Sequence, residues 1–526
     1  MTTPVLLHHY FDLTVHRFPK KTALVNNQQR ISYSSLYAQA KYLSRQLKET
    51  GIRRQDKIVI FLDNIPEVVI SLYGILKSDA VFVILNGALK PRKLSYILND
   101  CSASVLITDT KKAKVVSQAL SSVNHKVKLL WLGLEKGIPQ KLAPVSHSWN
   151  EYFADFQDIS WSREQGILKN ASSNLIDLDL ATLIYTSGST GEPKGVMSSH
   201  RNVISAAHSI ISYLENTPDD IILNVLPLSF DYGLYQVIMS LLFGGTVVLE
   251  KSFQYLHTVL SKITTEKATG FPIVPTILAM ILRMNNLDQY KLNSLRYISN
   301  TGAALPVEHI LKFRKTFPDV KVYSMYGLTE CKRVSYLPPD EIDRRPASVG
   351  KAMPNCEVKI VNENGEAVKK GETGELVIRG SNVMKGYWNA PQLTAKYFRN
   401  DINPGETLLY SGDLFRADDE GYLYFVGRKD DMIKSRGERL SAREIENTLH
   451  DMENISEVAV VGVPDEIFGQ SIKAFIVVET GKHVTENDVR AFCNSNLESF
   501  AMPKYIEFIS ELPRTPNGKI DKSKLF

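Results

Sequence analysis

Hydrophobic positions along this chain gather in short dense blocks rather than in one continuous stripe. From Lys57 the block KIVIFL has the length and β-branched content of a buried strand. The segment after it carries Asn64 as a candidate N-cap and Pro66 in the first turn, the punctuation of a helix start. AVFVIL at 80–85 returns to strand and completes a βαβ unit. Further β-rich runs at Ser104–Thr108, Lys128–Trp131, Leu183–Tyr185, Ile221–Leu226 and Thr246–Leu249 alternate with amphipathic segments. That alternation predicts an α/β fold of stacked sheets with parallel strands.

From about Val349 the texture changes to short strands separated by tight turns, NENGE at 362–366, KGETGE at 370–375 and DDEGY at 418–422. A β-rich subdomain over about 349–429 is expected. After Arg428 the pattern becomes α+β, and Ser441–Glu444 and Thr485–Asp488 each resemble a capping box. The expected organisation is a large domain over 1–429 and a small α+β lid domain over 430–526, divided near Lys429–Asp431.

Composition narrows the classes. Hydrophobic residues make 44% and charged residues 23% of 526, the balance of a globular protein and not of a disordered one. The net charge of +5 is dispersed without a block of like charges, so nucleic acid is not an expected partner. Cys101, Cys331, Cys356 and Cys493 form no C-x-x-C pair, which argues against a disulfide framework or a zinc site. The N-terminus lacks the features of a signal peptide, and runs such as Ala80–Leu85 are far too short to span a membrane. A cytoplasmic location is expected.

The segment LIYTSGSTGEPKG places an apolar strand end before a loop with Gly188, Gly191 and Gly195, the hydroxyls of Thr186, Ser187, Ser189 and Thr190, and Lys194. Glycines admit close backbone approach, N–H groups and hydroxyls donate to phosphate oxygens, and the lysine adds a point charge. It is not a Walker A loop, because Glu192 and Pro193 separate Gly191 from Lys194 and no Ser or Thr follows the lysine.

This loop closely resembles the signature of the adenylate-forming superfamily: acyl-CoA synthetases, amino-acid adenylation domains of peptide synthetases and firefly-type luciferases. Further motifs follow in that family's order over nearly the whole chain. In Tyr326-Gly327-Leu328-Thr329-Glu330 the resemblance implies a ring stacked on adenine, a threonine at the α-phosphate and a glutamate on Mg²⁺. Gly302, Ala303 and Ala304 would wall the adenine. Ser411-Gly412-Asp413 would place Asp413 on both ribose hydroxyls, and Arg428 would also reach the ribose. Asp430 would be the hinge, Gly437 would line a pantetheine channel, and Lys519 would contact the substrate carboxylate and the bridging oxygen. Catalysis would rest on Lys519, Lys194, Thr190, Glu330 and Mg²⁺ acting by positioning and charge neutralisation. A covalent role for Cys331 is not expected.

The implied activity is ATP-dependent formation of an acyl adenylate, then of a thioester on CoA or on a carrier protein's phosphopantetheine. The acid is less legible. Leu228–Gly233 aligns with the segment of amino-acid-activating domains in which an aspartate, here Asp231, pairs with the α-ammonium. The same alignment gives Tyr235, Pro272, Met325, Arg333 and Val334 as further pocket positions beside Tyr232, and the small-residue segment Ser299–Ala304 implies Ser299 and Thr301 in the acyl wall as well. Arg333 either pairs with a second acidic group or faces solvent. Against an amino acid, GRKDDMIKSRGERLSAREIE and DEIFGQSIKAF resemble acyl-CoA ligases, although their usual histidine-containing pocket motif is absent. Loading of an amino acid onto a carrier in trans is the alternative. A non-catalytic scaffold is disfavoured, because Glu330 and Lys519 are both present.

Overall fold

The computed structural model describes residues 4–133, 138–156, 174–186, 192–284, 287, 290–401, 405–429, 433–435, 438–465, 469–497, 501–515 and 518–525. Two large sheets dominate. The first orders the strands Ser146–Ser148, Lys128–Leu132, Val105–Asp109, Lys57–Phe61, Val81–Ile84, Leu180–Thr186 and Lys194–Ser199, all parallel except the last. The second has a parallel centre, with Ile221–Asn224, Gly270–Ile273, Tyr297–Asn300 and Lys321–Tyr326 side by side.

One hydrophobic core joins these sheets: Ile58, Ile60 and Phe82 from the first share it with Leu24, Ile222 and Phe271 from the second. The helices Pro66–Lys77 and Asp231–Phe243 contribute to that core, and the second is buried along its whole length. A helix apolar on nearly every face is stable only when surrounded in this way. Its first residue, Asp231, is thereby carried into the interior.

Asn64 does not cap the helix that follows it. Ile65 holds the N-cap position without a side-chain bond. The Asn64 amide instead donates to the carbonyls of Leu226 (2.9 Å) and Glu250 (3.1 Å), while the Leu228 N–H donates to its oxygen (2.9 Å). Buried backbone groups at the end of the second sheet need partners more than a Pro-initiated helix does. The residue therefore ties the two sheets beside Asp231.

The β-rich sheet over Cys356–Arg428 is antiparallel throughout, with Gly365, Gly371 and Gly421 at positive φ in the turns expected for them. A further sheet comprises Ile433–Ser435, Glu438–Leu440, Ile455–Asp465, Gly469–Val478 and Tyr505–Phe508, covered by the helices Ala442–His450 and Glu486–Asn496. Thr485 and Asp488 form the expected capping box. At the other start Ser441 gives its hydroxyl to the Val426 carbonyl, and the Glu444 side chain lies outside the described residues.

Candidate active site

The phosphate-loop segment connects two strands of an antiparallel hairpin, Leu180–Thr186 and Lys194–Ser199, with Thr186 and Lys194 as register partners. This is not the strand-to-helix connection of a Walker A loop. Ser187, Gly188, Ser189, Thr190 and Gly191 lie outside the described residues. Lys194 is partly buried, and a Cβ on Gly195 would stand 3.1 Å from the Tyr185 ring, so that strand packs without room for a larger residue.

Tyr326 ends its strand and donates its hydroxyl to Asp413 Oδ2 at 2.6 Å. Asp413 and Arg428 are cross-strand partners, with Arg428 Nε 3.4 Å from Asp413 Oδ1. The presumed adenine and ribose positions are thus one contiguous group, braced by Phe415 edge-on to the Tyr326 ring. Burial and the neighbouring Asp413 charge raise the Tyr326 phenol, which keeps it a donor. Glu330 follows on the same turn as Thr329, and the Tyr387 hydroxyl donates to Glu330 Oε1 at 2.6 Å. An ionised carboxylate has more acceptor sites than one phenol fills. Among the described residues no group of three His, Cys, Asp or Glu is placed to hold a metal. The spare acceptor sites of Glu330 are of the kind Mg²⁺ takes, which is commonly bound by one or two carboxylates together with substrate phosphates.

Lys519 reaches this group from the C-terminal sheet's side. A Cβ on Gly302, whose φ is +87°, would lie 3.2 Å from Lys519 Cε, so only glycine both adopts this backbone and leaves room. Lys519 Nζ sits 5.5 Å from the Phe230 ring centre. Burial lowers its pKa, opposed by the charges of Asp231, Asp413 and Glu330. The backbone beside it is docked: Thr276 Oγ1 donates to the Gly518 carbonyl (2.9 Å), and Arg443 donates to that of Ala304 (3.0 Å). Ala303 is exposed beside them. Asp430 and Gly437 lie outside the described residues.

The expected pocket positions separate into two groups. Tyr232 donates to the Ser299 carbonyl at 2.7 Å and shares a hydrogen bond with its hydroxyl, which joins the helix carrying Asp231, Tyr232 and Tyr235 to the strand end that runs into Thr301. Met325 accepts from Tyr213 through sulfur, and Pro272 is buried in the adjacent strand. Val334 belongs elsewhere: it packs with Cys331, Val349 and Leu376 in the core of the β-rich sheet. Arg333 does not face solvent. It is 1% exposed, with its guanidinium carbon 5.2 Å from the Tyr232 ring centre.

Lys332 was not legible as a site residue. Its Nζ lies 3.4 Å from Asp231 Oδ2, and both side chains are buried. Burial lowers the ammonium to about 7, against the opposing pull of Asp231. Tyr387, which holds Glu330, and Phe230, which faces Lys519, were also missed. Each lies outside the motif it serves, so local pattern gave no signal for it. Cys331 is fully buried and its thiol is raised well above the usual range, chiefly by burial, which removes the thiolate a nucleophile needs.

Comparison with known proteins follows this geometry. The profile of the AMP-binding enzyme family matches residues 11–388, and that of the AMP-binding enzyme C-terminal domain matches 444–519. A long-chain-fatty-acid–CoA ligase of Bacillus subtilis (strain 168) is 31% identical over 97% of this chain and 92% of its own length. Gramicidin S synthase 2 of Brevibacillus brevis is 29% identical over 99% of this chain, which spans only 11% of that protein. Among solved structures, an anthranilate CoA ligase in complex with anthranoyl-AMP superposes with a TM-score of 0.88 at 26% identity, covering 99% of this chain and 97% of that one. The chain belongs to the AMP-binding enzyme family and is an adenylate-forming ligase of the acyl-CoA synthetase type.

Proposed function

We propose that this ligase activates a carboxylic acid other than an α-amino acid and transfers the acyl group to the thiol of CoA or of a carrier protein's phosphopantetheine. In the first half a carboxylate oxygen attacks the α-phosphorus of ATP, the bond to the β,γ-pyrophosphate breaks, and acyl-AMP forms. In the second a thiolate attacks the acyl carbon and AMP leaves. Positions 1–429 would carry the nucleotide and acid, and 430–526, turning about Asp430, would bring Lys519 for the first half and Gly437 for the second.

The observation that carries the reading is the convergence of Asp231, Asp413 and Glu330, on elements far apart in sequence, within electrostatic reach of Lys519, which stands against Gly302. Lys519 would neutralise the attacking carboxylate and the bridging oxygen, where charge develops. Asp413 and Arg428 would orient the ribose, and Tyr326 would lie along the base. Glu330 would hold Mg²⁺, which when bound offsets charge on the phosphates. Thr190 and Lys194 would hold the triphosphate.

The choice against an amino acid rests on Asp231. Its carboxylate already faces the Lys332 ammonium, so a substrate ammonium would compete with a covalently tethered one. The test is ATP–pyrophosphate exchange over a panel of aliphatic, aromatic and amino acids. Exchange confined to amino acids would overturn this choice, and silence throughout would sink acid activation altogether.

A further inference from the structure

Two buried cations stand against the Tyr232 ring, and among the described residues one acid is paired with them. Lys332 and Arg333 are 2% and 1% exposed, and that acid is Asp231. Lys332 takes it, as an ion pair without a hydrogen bond. Arg333 is left with Nε and Nη1 lacking any hydrogen-bond partner among the described residues, while its guanidinium bonds towards Tyr213. A guanidinium keeps its charge at any pH a protein meets. A buried cation with unfilled donors is a costly arrangement unless something else supplies the acceptor.

Two further buried polar atoms are orphaned. The Tyr235 hydroxyl and Thr301 Oγ1 are buried without partners among the described residues, and Lys332 Nζ lies 4.3 Å from the Tyr235 ring centre. Lys332 also holds φ +66°, a left-handed backbone that disfavours a non-glycine residue. A series of contacts joins the two cations. Lys519 stands against Gly302, which follows Thr301 in sequence, and Ser299 holds the hydroxyl of Tyr232, whose ring lies 5.2 Å from the Arg333 guanidinium carbon.

We infer that the substrate is a dicarboxylic acid lacking an α-amino group, whose second carboxylate is bound at the far end of the pocket by Arg333 with Lys332. The inference rests on the acid-activating reading above and names its substrate class. A second carboxylate accepts from the two unfilled Arg333 donors and balances the surplus charge. An apolar acyl chain would leave both unfilled, and a pocket built to hydrogen-bond a substrate rejects the analogue that lacks the group.

The experiment measures ATP–pyrophosphate exchange by the full chain with straight-chain α,ω-dicarboxylic acids, their ω-methyl esters, monocarboxylic acids of equal length, and glutamate. The ω-ester keeps length and removes charge. The expected result is one diacid exceeding its ω-ester by about 100-fold in kcat/KM, the size of a lost charge-assisted hydrogen bond. Arg333→Met should abolish that preference and turn over the ω-ester at least as well as the diacid. A wild-type enzyme that uses monoacids or ω-esters as well as diacids overturns the inference and leaves acid activation standing. Glutamate outpacing glutarate overturns it too, and so does a diacid preference that survives Arg333→Met. No exchange with any acid removes the activating reading itself. The wild-type comparison decides even if the variant does not fold.

Discussion

Lys519, half-buried, and Lys332, fully buried, both feel the charge of Asp231, yet they are expected to respond differently to removal. Lys519 meets the developing charge, so Lys519→Ala should lower the adenylation rate by about 100-fold or more, the usual cost of one transition-state donor. Thioester formation from supplied acyl-AMP should persist, and single-turnover assays of the two halves decide it; equal loss of both refutes the role. Lys332 is tied to Asp231 at 3.4 Å, so Asp231→Asn removes the partner of a buried amine and should destabilise the fold by about 1–3 kcal/mol. The double variant Asp231→Asn with Lys332→Met should recover most of that in thermal melts. No recovery would show that the two do not act as a pair. Glu330, Asp413 and Lys519 stand out in the sequence because each sits in a motif of fixed spacing. Lys332 does not, since Cys331-Lys332-Arg333 reads as a polar turn and only the fold reveals that these charges go inward.

At the scale of elements, the turn after the strand Lys321–Tyr326 carries two tasks, because the residues that follow Tyr326 and Glu330 supply Lys332 and Arg333. Gly327 couples them: a Cβ there would stand 2.3 Å from the Lys332 carbonyl oxygen and 2.9 Å from the Arg333 Cα. Gly327→Ala should displace both halves and lower exchange by about 100-fold, since misplacement near 1 Å has that effect. A variant with wild-type kcat/KM would disprove the coupling. Helix junctions carry a pH signal. His200 Nδ1 accepts from the Leu7 N–H at 3.1 Å, and burial, opposed by Asp179, lowers its pKa from 6.5 to about 4. The unfolded chain therefore binds the proton first, and stability should fall as pH drops from 6.5 towards about 4. His200→Gln should flatten that slope in melts across the window. Alternating strand and helix blocks made the two large sheets legible in advance. Asn64 was misjudged because local punctuation cannot show that carbonyls 162 and more residues away compete for its amide.

Across the whole molecule, the small C-terminal sheet meets the large unit through polar ties: Thr276 to Gly518, Arg514 to Thr276 at 2.7 Å, Arg443 to Ala304 and Ser441 to Val426. Polar interfaces of this kind let domains move relative to one another. That mobility is what a two-step reaction on one nucleotide site requires. Lys519 stands beside Gly302 and Phe230, so under the proposed function a thiol seeking the acyl carbon would be served by a different arrangement of the same domain. Loosening the present docking should therefore affect the halves unequally. Thr276→Ala together with Arg443→Ala removes hydrogen bonds that dock the C-terminal unit without touching the nucleotide-site carboxylates. Adenylation should slow about threefold to tenfold, the scale of one or two lost hydrogen bonds. Thioester formation from supplied acyl-AMP should be unchanged or faster, because release of the docked form is favoured. Parallel slowing of both halves would mean that this docking serves folding and not the first step alone.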